Sequence, residues 1–149
     1  MNTRWIATVS LILSLLCSCR SSGGPEYQAS KRESSIPAKD ASEQIKEIST
    51  SQLKDWMTTG QMFTLIDVRE DNEWQGGHAA TAMHISRWTL SGRIGTVVPD
   101  KTARIVLYCL GGVRSAAAAE TLQKMGYTNV FSLNGGFKNY QLSGLPVQK

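Results

Sequence analysis

The sequence is poor in the residues that build disulfide frameworks and metal centres. Its 149 residues include three cysteines and two histidines. Two of the cysteines, Cys17 and Cys19, lie near the N-terminus, so Cys109 has no second cysteine beside it in the rest of the chain. A small disulfide-rich domain is therefore excluded. No group of residues has metal-ligand spacing, and we expect no bound metal and no cofactor.

The chain also lacks a long hydrophobic run and a strong excess of charge. The apolar stretch at residues 5–16 is too short to cross a bilayer comfortably. The formal net charge is +4, and no basic run carries interleaved aromatic residues. Nucleic acid is therefore not an expected partner. The length fits one domain with its own core.

The N-terminus has the three-part pattern of an export signal. A positive head with Arg4 precedes the apolar stretch, and Leu16-Cys17-Ser18-Cys19 comes after it. This ending resembles the lipobox of bacterial lipoproteins, with leucine three residues before the acceptor cysteine and a small residue directly before it. The resemblance implies that residues 1–18 are a lipoprotein-type signal peptide and that Cys19 carries the lipid anchor. It also implies an exported bacterial protein, held on the membrane and facing the periplasm. An ordinary cleaved signal is the alternative.

Residues 19–44 differ in composition from the C-terminal two thirds of the chain. They are rich in serine, glycine, proline, lysine and glutamate, with almost no large apolar side chain. This composition predicts a flexible tether, followed by one folded domain over residues 45–149. If Cys17 leaves with the signal and Cys19 carries lipid, Cys109 is unpaired outside the cytoplasm. That situation favours a working thiol over a structural one.

Apolar runs alternate with helical patterns through this domain. Strands are predicted at residues 45–48, 63–68, 82–85, 104–108 and 129–133, and helices at 52–58, 70–74, 116–126 and 137–140. Residues 86–100 are ambiguous. The alternation predicts an α/β fold of three layers, with a central parallel sheet of about five strands and helices on both faces.

The stretch Tyr108-Cys109-Leu110-Gly111-Gly112-Val113-Arg114-Ser115 carries the strongest chemical signal. The cysteine ends a predicted strand, where α/β sheets place their chemistry. Two glycines let the backbone curl with its N–H groups inward, and the following helix adds positive partial charge. Arg114 adds a full positive charge. Each of these features favours the thiolate, which is the reactive form of cysteine.

From residue 45 to the C-terminus the sequence resembles a single-domain rhodanese, a sulfurtransferase. The cysteine loop matches the catalytic loop of that family. Residues 79–82 depart from the Ile-Pro-Gly-Ala-like run usual there, and Tyr140 stands where the family usually has tryptophan. The other matching motifs are Leu65-Ile66-Asp67-Val68-Arg69, Glu73-Trp74 with Gly77-His78, Leu133-Asn134-Gly135-Gly136-Phe137, and Gly144-Leu145-Pro146-Val147.

The resemblance implies that Cys109 takes a sulfur atom from thiosulfate or a similar small sulfur-containing anion. A Cys109 persulfide would then pass that sulfur to a thiophilic acceptor such as a thiol. Arg114 would hold the sulfonate end of the donor. Asp67 and Arg69 are expected to support the site, with the aspartate mainly bracing neighbouring loops. The backbone that cradles the sulfur would come from Leu110, Gly111, Gly112, Val113, Arg114 and Ser115.

Two other functions compete with this one. Phosphatases with a cysteine and an arginine in a similar loop have a loop one residue longer, which suits phosphate better than a sulfur atom. A non-catalytic or redox-sensing module on the same fold is the second alternative, although such modules usually lose the cysteine or degrade the loop. We expect the protein to be a monomer.

Overall fold

The structure, a computed structural model, describes residues 44–149. The predicted signal peptide, Cys19 and nearly all of the predicted tether lie outside these residues. Among the helices that are described, none is both long and apolar enough to cross a membrane. In chain order the elements are β1 (Lys46–Ile48), α1 (Thr50–Thr58), β2 (Thr64–Asp67), α2 (Asp71–Gln75), β3 (His78–Ala79), β4 (Met83–His84), α3 (Leu90–Val97), β5 (Ile105–Tyr108), α4 (Val113–Lys124), β6 (Val130–Leu133), α5 (Gly136–Leu142) and β7 (Val147–Gln148).

Five strands form the central sheet in the order β1-β6-β5-β2-β4, and every neighbouring pair is parallel. The predicted parallel sheet is therefore confirmed. In its middle, Asp67 of β2 lies opposite Tyr108 of β5. Because the strands are parallel, the residues that come after β2, β4, β5 and β6 emerge at one edge of the sheet. Cys109 lies there, directly after β5.

Two hydrophobic cores cover the two faces of this sheet. Alternate residues of β5 divide between them, because successive side chains of a strand point to opposite faces. Ile105 and Leu107 join the core that contains residues of α3 and α4. Val106 and Tyr108 join the core that contains residues of α1 and α5. Burying each large aliphatic side chain contributes about 1.5–3 kcal/mol, so helices on both faces hold the strand that leads to Cys109.

Outside the cysteine loop, the structure differs from the predictions in two places. The ambiguous residues 86–100 contain α3, whose Leu90 and Ile94 are fully buried. A second, two-stranded sheet pairs β3 with β7, and sequence patterns did not predict it. Its strands have two residues each, too few to show an alternating pattern, so the pairing depends on tertiary contacts.

Candidate active site

The loop after β5 is shorter than predicted, because α4 begins at Val113 and not at Ala116. Gly112 is the residue before the helix, with φ of 104°. Side chains strongly disfavour this backbone conformation, so glycine is required for the turn. The carbonyl of Gly112 then accepts a hydrogen bond from the N–H of Ala116 at 3.0 Å, which starts the helix. Val113, Arg114 and Ser115 consequently form the first turn of α4.

The Cys109 thiol lies inside this turn and is 1 % exposed. The N–H of Gly112 donates to Sγ at 3.2 Å, and the hydroxyl of Ser115 lies 3.8 Å from the same sulfur. Burial raises the pKa of the Cys109 thiol, but the backbone N–H groups of Ser115, Gly112 and Gly111 outweigh it. The pKa therefore lies below its ordinary value, and the thiolate is favoured.

Ser115 connects the thiol with the next strand of the sheet. Its hydroxyl lies 2.8 Å from the Gly112 carbonyl and 2.9 Å from the hydroxyl of Ser132 on β6. Ser115 and Ser132 are both buried. Buried hydroxyl groups need partners, and these contacts supply them while holding the first turn of α4 against the sheet. The sequence predicts Ser115 as a loop residue, whereas no sequence pattern indicates a role for Ser132.

Arg114 is held by Glu73 of α2. The two guanidinium Nη atoms donate to the two carboxylate oxygens at 2.6 and 2.8 Å, a bidentate pair. This hydrogen bonding lowers the pKa of Glu73 to about 2, against a smaller opposing effect of burial. Arg114 also faces the Cys109 sulfur, whose charge raises the pKa of the guanidinium further. Glu73 belongs to a motif that is visible in the sequence, but no local pattern predicts its pairing with Arg114, because the two residues are 41 positions apart in the chain.

Asp67 and Arg69 pair with each other at the end of β2. Arg69 donates from Nε and Nη2 to Asp67 Oδ2 at 2.9 and 2.7 Å, and from Nη2 to the Gly77 carbonyl at 2.7 Å. Its guanidinium also lies 4.3 Å from the ring centre of Phe137. Both charged residues are buried. Through Arg69, the pair thus connects β2, the segment before β3, and α5.

The start of α5 supports the other side of the loop. The N–H of Phe137 donates to the Cys109 carbonyl at 2.7 Å, and the N–H of Lys138 donates to the Leu110 carbonyl at 3.2 Å. Gly136 has φ of 55°, and a Cβ atom there would collide with the Cys109 carbonyl oxygen and lie 2.9 Å from that of Leu110. The motif around Gly135-Gly136 is therefore part of the site through its backbone.

The arrangement places a stabilised thiolate at the carboxyl edge of a parallel sheet, with inward N–H groups and one paired arginine. Comparison with protein-family models matches residues 49–143 to the Rhodanese-like domain. The chain belongs to the rhodanese-like family. Both the fold class and the family expected from the sequence are confirmed.

Relatives agree with this membership. The chain is 46% identical over 76 residues to the uncharacterized protein YqhL of Bacillus subtilis, covering 51% of this chain and 59% of that protein. It is 40% identical over 70 residues to the thiosulfate sulfurtransferase PspE of Escherichia coli, covering 47% and 67%. The solved rhodanese-like domain of the Anabaena protein Alr3790 is 26% identical with a TM-score of 0.64, covering 68% of this chain and 77% of that one. Together, the rhodanese-like family and its sulfurtransferase-named members support a sulfurtransferase-type role.

Proposed function

We propose that the protein is a thiosulfate-type sulfurtransferase that carries sulfane sulfur as a persulfide on Cys109. The observation that carries this proposal is the ring of N–H groups that lowers the pKa of the thiol, with the sulfur held at the first turn of a helix. Lowering the pKa of the thiol increases the fraction of the nucleophilic thiolate, and the same N–H groups can hold a second, negatively charged sulfur atom afterwards.

The reaction has two steps. In the first, the Cys109 thiolate attacks the outer sulfur of thiosulfate, the bond between the two donor sulfurs breaks, and sulfite leaves with the bonding electrons. In the second, a thiol or cyanide attacks the terminal sulfur and the Cys109 thiolate is restored. Sulfite, the first product, is released before the acceptor reacts, so ping-pong kinetics are expected.

Loop length favours sulfur transfer over phosphate chemistry. Four residues separate Cys109 from Arg114, and the short turn brings the N–H of Gly112 to 3.2 Å from the sulfur. A cradle closed this tightly around one sulfur atom supports transfer of a single atom over binding of a tetrahedral phosphate. The complete loop also distinguishes the chain from non-catalytic modules that have lost it.

The test is thiocyanate formation from thiosulfate and cyanide by the purified chain, with intact mass and peptide mapping after incubation with donor alone. We expect the gain of one sulfur atom on the peptide that contains Cys109 and no turnover by Cys109→Ser. Ser143→Ala is a matched control, since Ser143 is exposed and its hydrogen bonds among the described residues are with Thr50 and α5. Normal turnover by the Cys109→Ser variant would end the covalent mechanism.

We further propose that Cys19 anchors the chain to the cell envelope on the periplasmic side. The support is the sequence pattern of residues 16–19. Replacing the acceptor, as Cys19→Ala, should move the protein from the membrane fraction to the soluble fraction, with Cys17→Ala as the control. Unchanged fractionation of Cys19→Ala would contradict the proposal.

A further inference from the structure

Among the residues that the structure describes, the two arginines at this edge of the sheet, Arg69 and Arg114, are both paired with carboxylates. Arg114 gives an Nη donor to each oxygen of Glu73, at 2.6 and 2.8 Å. Arg69 is buried and bound to Asp67. Residues 109–115 contain no lysine and no second arginine. Lys138 meets the loop through its backbone, and its side chain is exposed to water, where screening weakens its field.

The pairing of these arginines with carboxylates affects how well the site can bind a negatively charged sulfur donor. Thiosulfate carries two negative charges, and its sulfonate would have to lie near the Cys109 thiolate and the Glu73 carboxylate. The inward N–H groups of the loop already face the thiolate sulfur. Binding of a dianion here gains less attraction than it would beside an unpaired arginine, because Glu73 offsets the charge of the Arg114 guanidinium.

Two apolar side chains beside Cys109 are exposed to water. Leu110 is 39% exposed and Val113 is 83% exposed, one on each side of the glycine pair. An apolar group that covered these side chains would remove hydrophobic surface from water, and a sulfonate would not. The thiol itself is 1% exposed, so the group that reaches it must be slender at its reactive end.

We propose that the preferred sulfur donor is a small organic persulfide with an apolar group and at most one negative charge, in preference to thiosulfate. This rests on the proposed function. The Cys109 thiolate attacks the terminal sulfur of R–S–SH, and the bond between the two donor sulfurs breaks. R–S⁻ leaves with the electron pair, the proton stays on the transferred sulfur, and Cys109–S–SH remains.

The experiment compares the loading of Cys109 in the full chain by thiosulfate and by benzyl hydropersulfide, followed by intact mass and peptide mapping. Each second-order rate constant is divided by that of the same donor with free cysteine, which removes the intrinsic reactivity of the donor. We expect the normalised constant for benzyl hydropersulfide to exceed that for thiosulfate by about tenfold or more.

Val113→Lys and Val113→Met separate charge from side-chain length. The lysine variant should raise the normalised thiosulfate constant by about tenfold over the methionine variant, with a difference that shrinks as salt is added. Both loading rates are proportional to the fraction of Cys109 present as thiolate. The ratio of the thiosulfate constant to the benzyl hydropersulfide constant is therefore unchanged if a variant shifts the pKa of the thiol.

Faster normalised loading by thiosulfate in the unmodified chain would overturn the inference and leave the proposed function standing. The inference would also be overturned if the ratio of the normalised thiosulfate constant to the normalised benzyl hydropersulfide constant were the same in the lysine and methionine variants. Failure of both donors to load Cys109 would instead remove the proposed function, and the donor preference with it.

Discussion

Gly136→Ala tests whether the start of α5 shapes the catalytic loop. Gly136 has φ of 55°, and a Cβ atom there would collide with the Cys109 carbonyl oxygen and crowd the Leu110 carbonyl. These are backbone atoms of the loop itself, so the strain cannot be relieved by rotating a flexible side chain. The peptide that joins Cys109 to Leu110 must move, or α5 must move away from it.

Two contributions add up to the loss in free energy of unfolding that we expect for Gly136→Ala. A residue with a side chain in the left-handed region costs about 1–2 kcal/mol. Overpacking against fixed atoms costs about 1–3 kcal/mol more. Gly144→Ala is the matched control, because Gly144 has φ of 67° and no atom within 4 Å of an added Cβ. The control therefore carries the first contribution alone, and the two variants should differ by about 1–3 kcal/mol in free energy of unfolding.

Thermal and urea unfolding measure that difference, which corresponds to about 4–20 °C in Tm for a domain of this size. Rates of Cys109 loading measure the displacement of the loop. We expect Gly136→Ala to load at least about tenfold more slowly, and Gly144→Ala to load as the unmodified chain does. If the two variants unfold alike and load alike, the reasoning that α5 shapes the loop through Gly136 is refuted.

Two further predictions concern the neighbours of the thiol. Loading should rise with pH until the Cys109 thiol is ionised and then level off, and Ser115→Ala should move that rise to higher pH because a hydroxyl donor is lost. It should also cost about 1–2 kcal/mol of stability by leaving Ser132 unpaired, which Ser115→Ala/Ser132→Ala partly restores. Glu73→Gln removes a carboxylate whose pKa is lowered from 4.5 to about 2 by Arg114. The ionised carboxylate stabilises the folded chain above pH 4.5, and this stabilisation is lost as the pH falls towards 2. Acid titrations followed by circular dichroism should show a weaker pH dependence in that window for the variant, and identical titrations would contradict the pairing.

The parts of the fold that sequence predicts well are those with a strong local pattern. β5 has four consecutive fully buried residues, and its apolar run shows a strand covered on both faces. The loop from Cys109 to Ser115 is equally visible, because its two glycines and its arginine follow Cys109 within five residues of the chain. Such features need no knowledge of distant residues.

The parts that sequence misses depend on contacts between distant residues. α3 includes Gly92 and Gly95, which disfavour a helix, and it forms because Leu90 and Ile94 are buried against the sheet. In the sequence Glu73 looks like any other acidic residue, and its role becomes visible only in the fold, where α2 places it beside Arg114. Contacts of this kind are set by topology, and a pattern in one stretch of residues cannot reveal them.

The order of the strands in the sheet also affects when the parts of the domain can fold. β1 lies at the start of the domain, yet its partner in the sheet is β6, with Lys46 opposite Phe131 and Ile48 opposite Leu133. The residues up to Leu133 must therefore be synthesised before this pair at the edge of the sheet can form. Until β6 is available, β1 has no partner in the sheet, so this contact between distant parts of the chain forms late in folding.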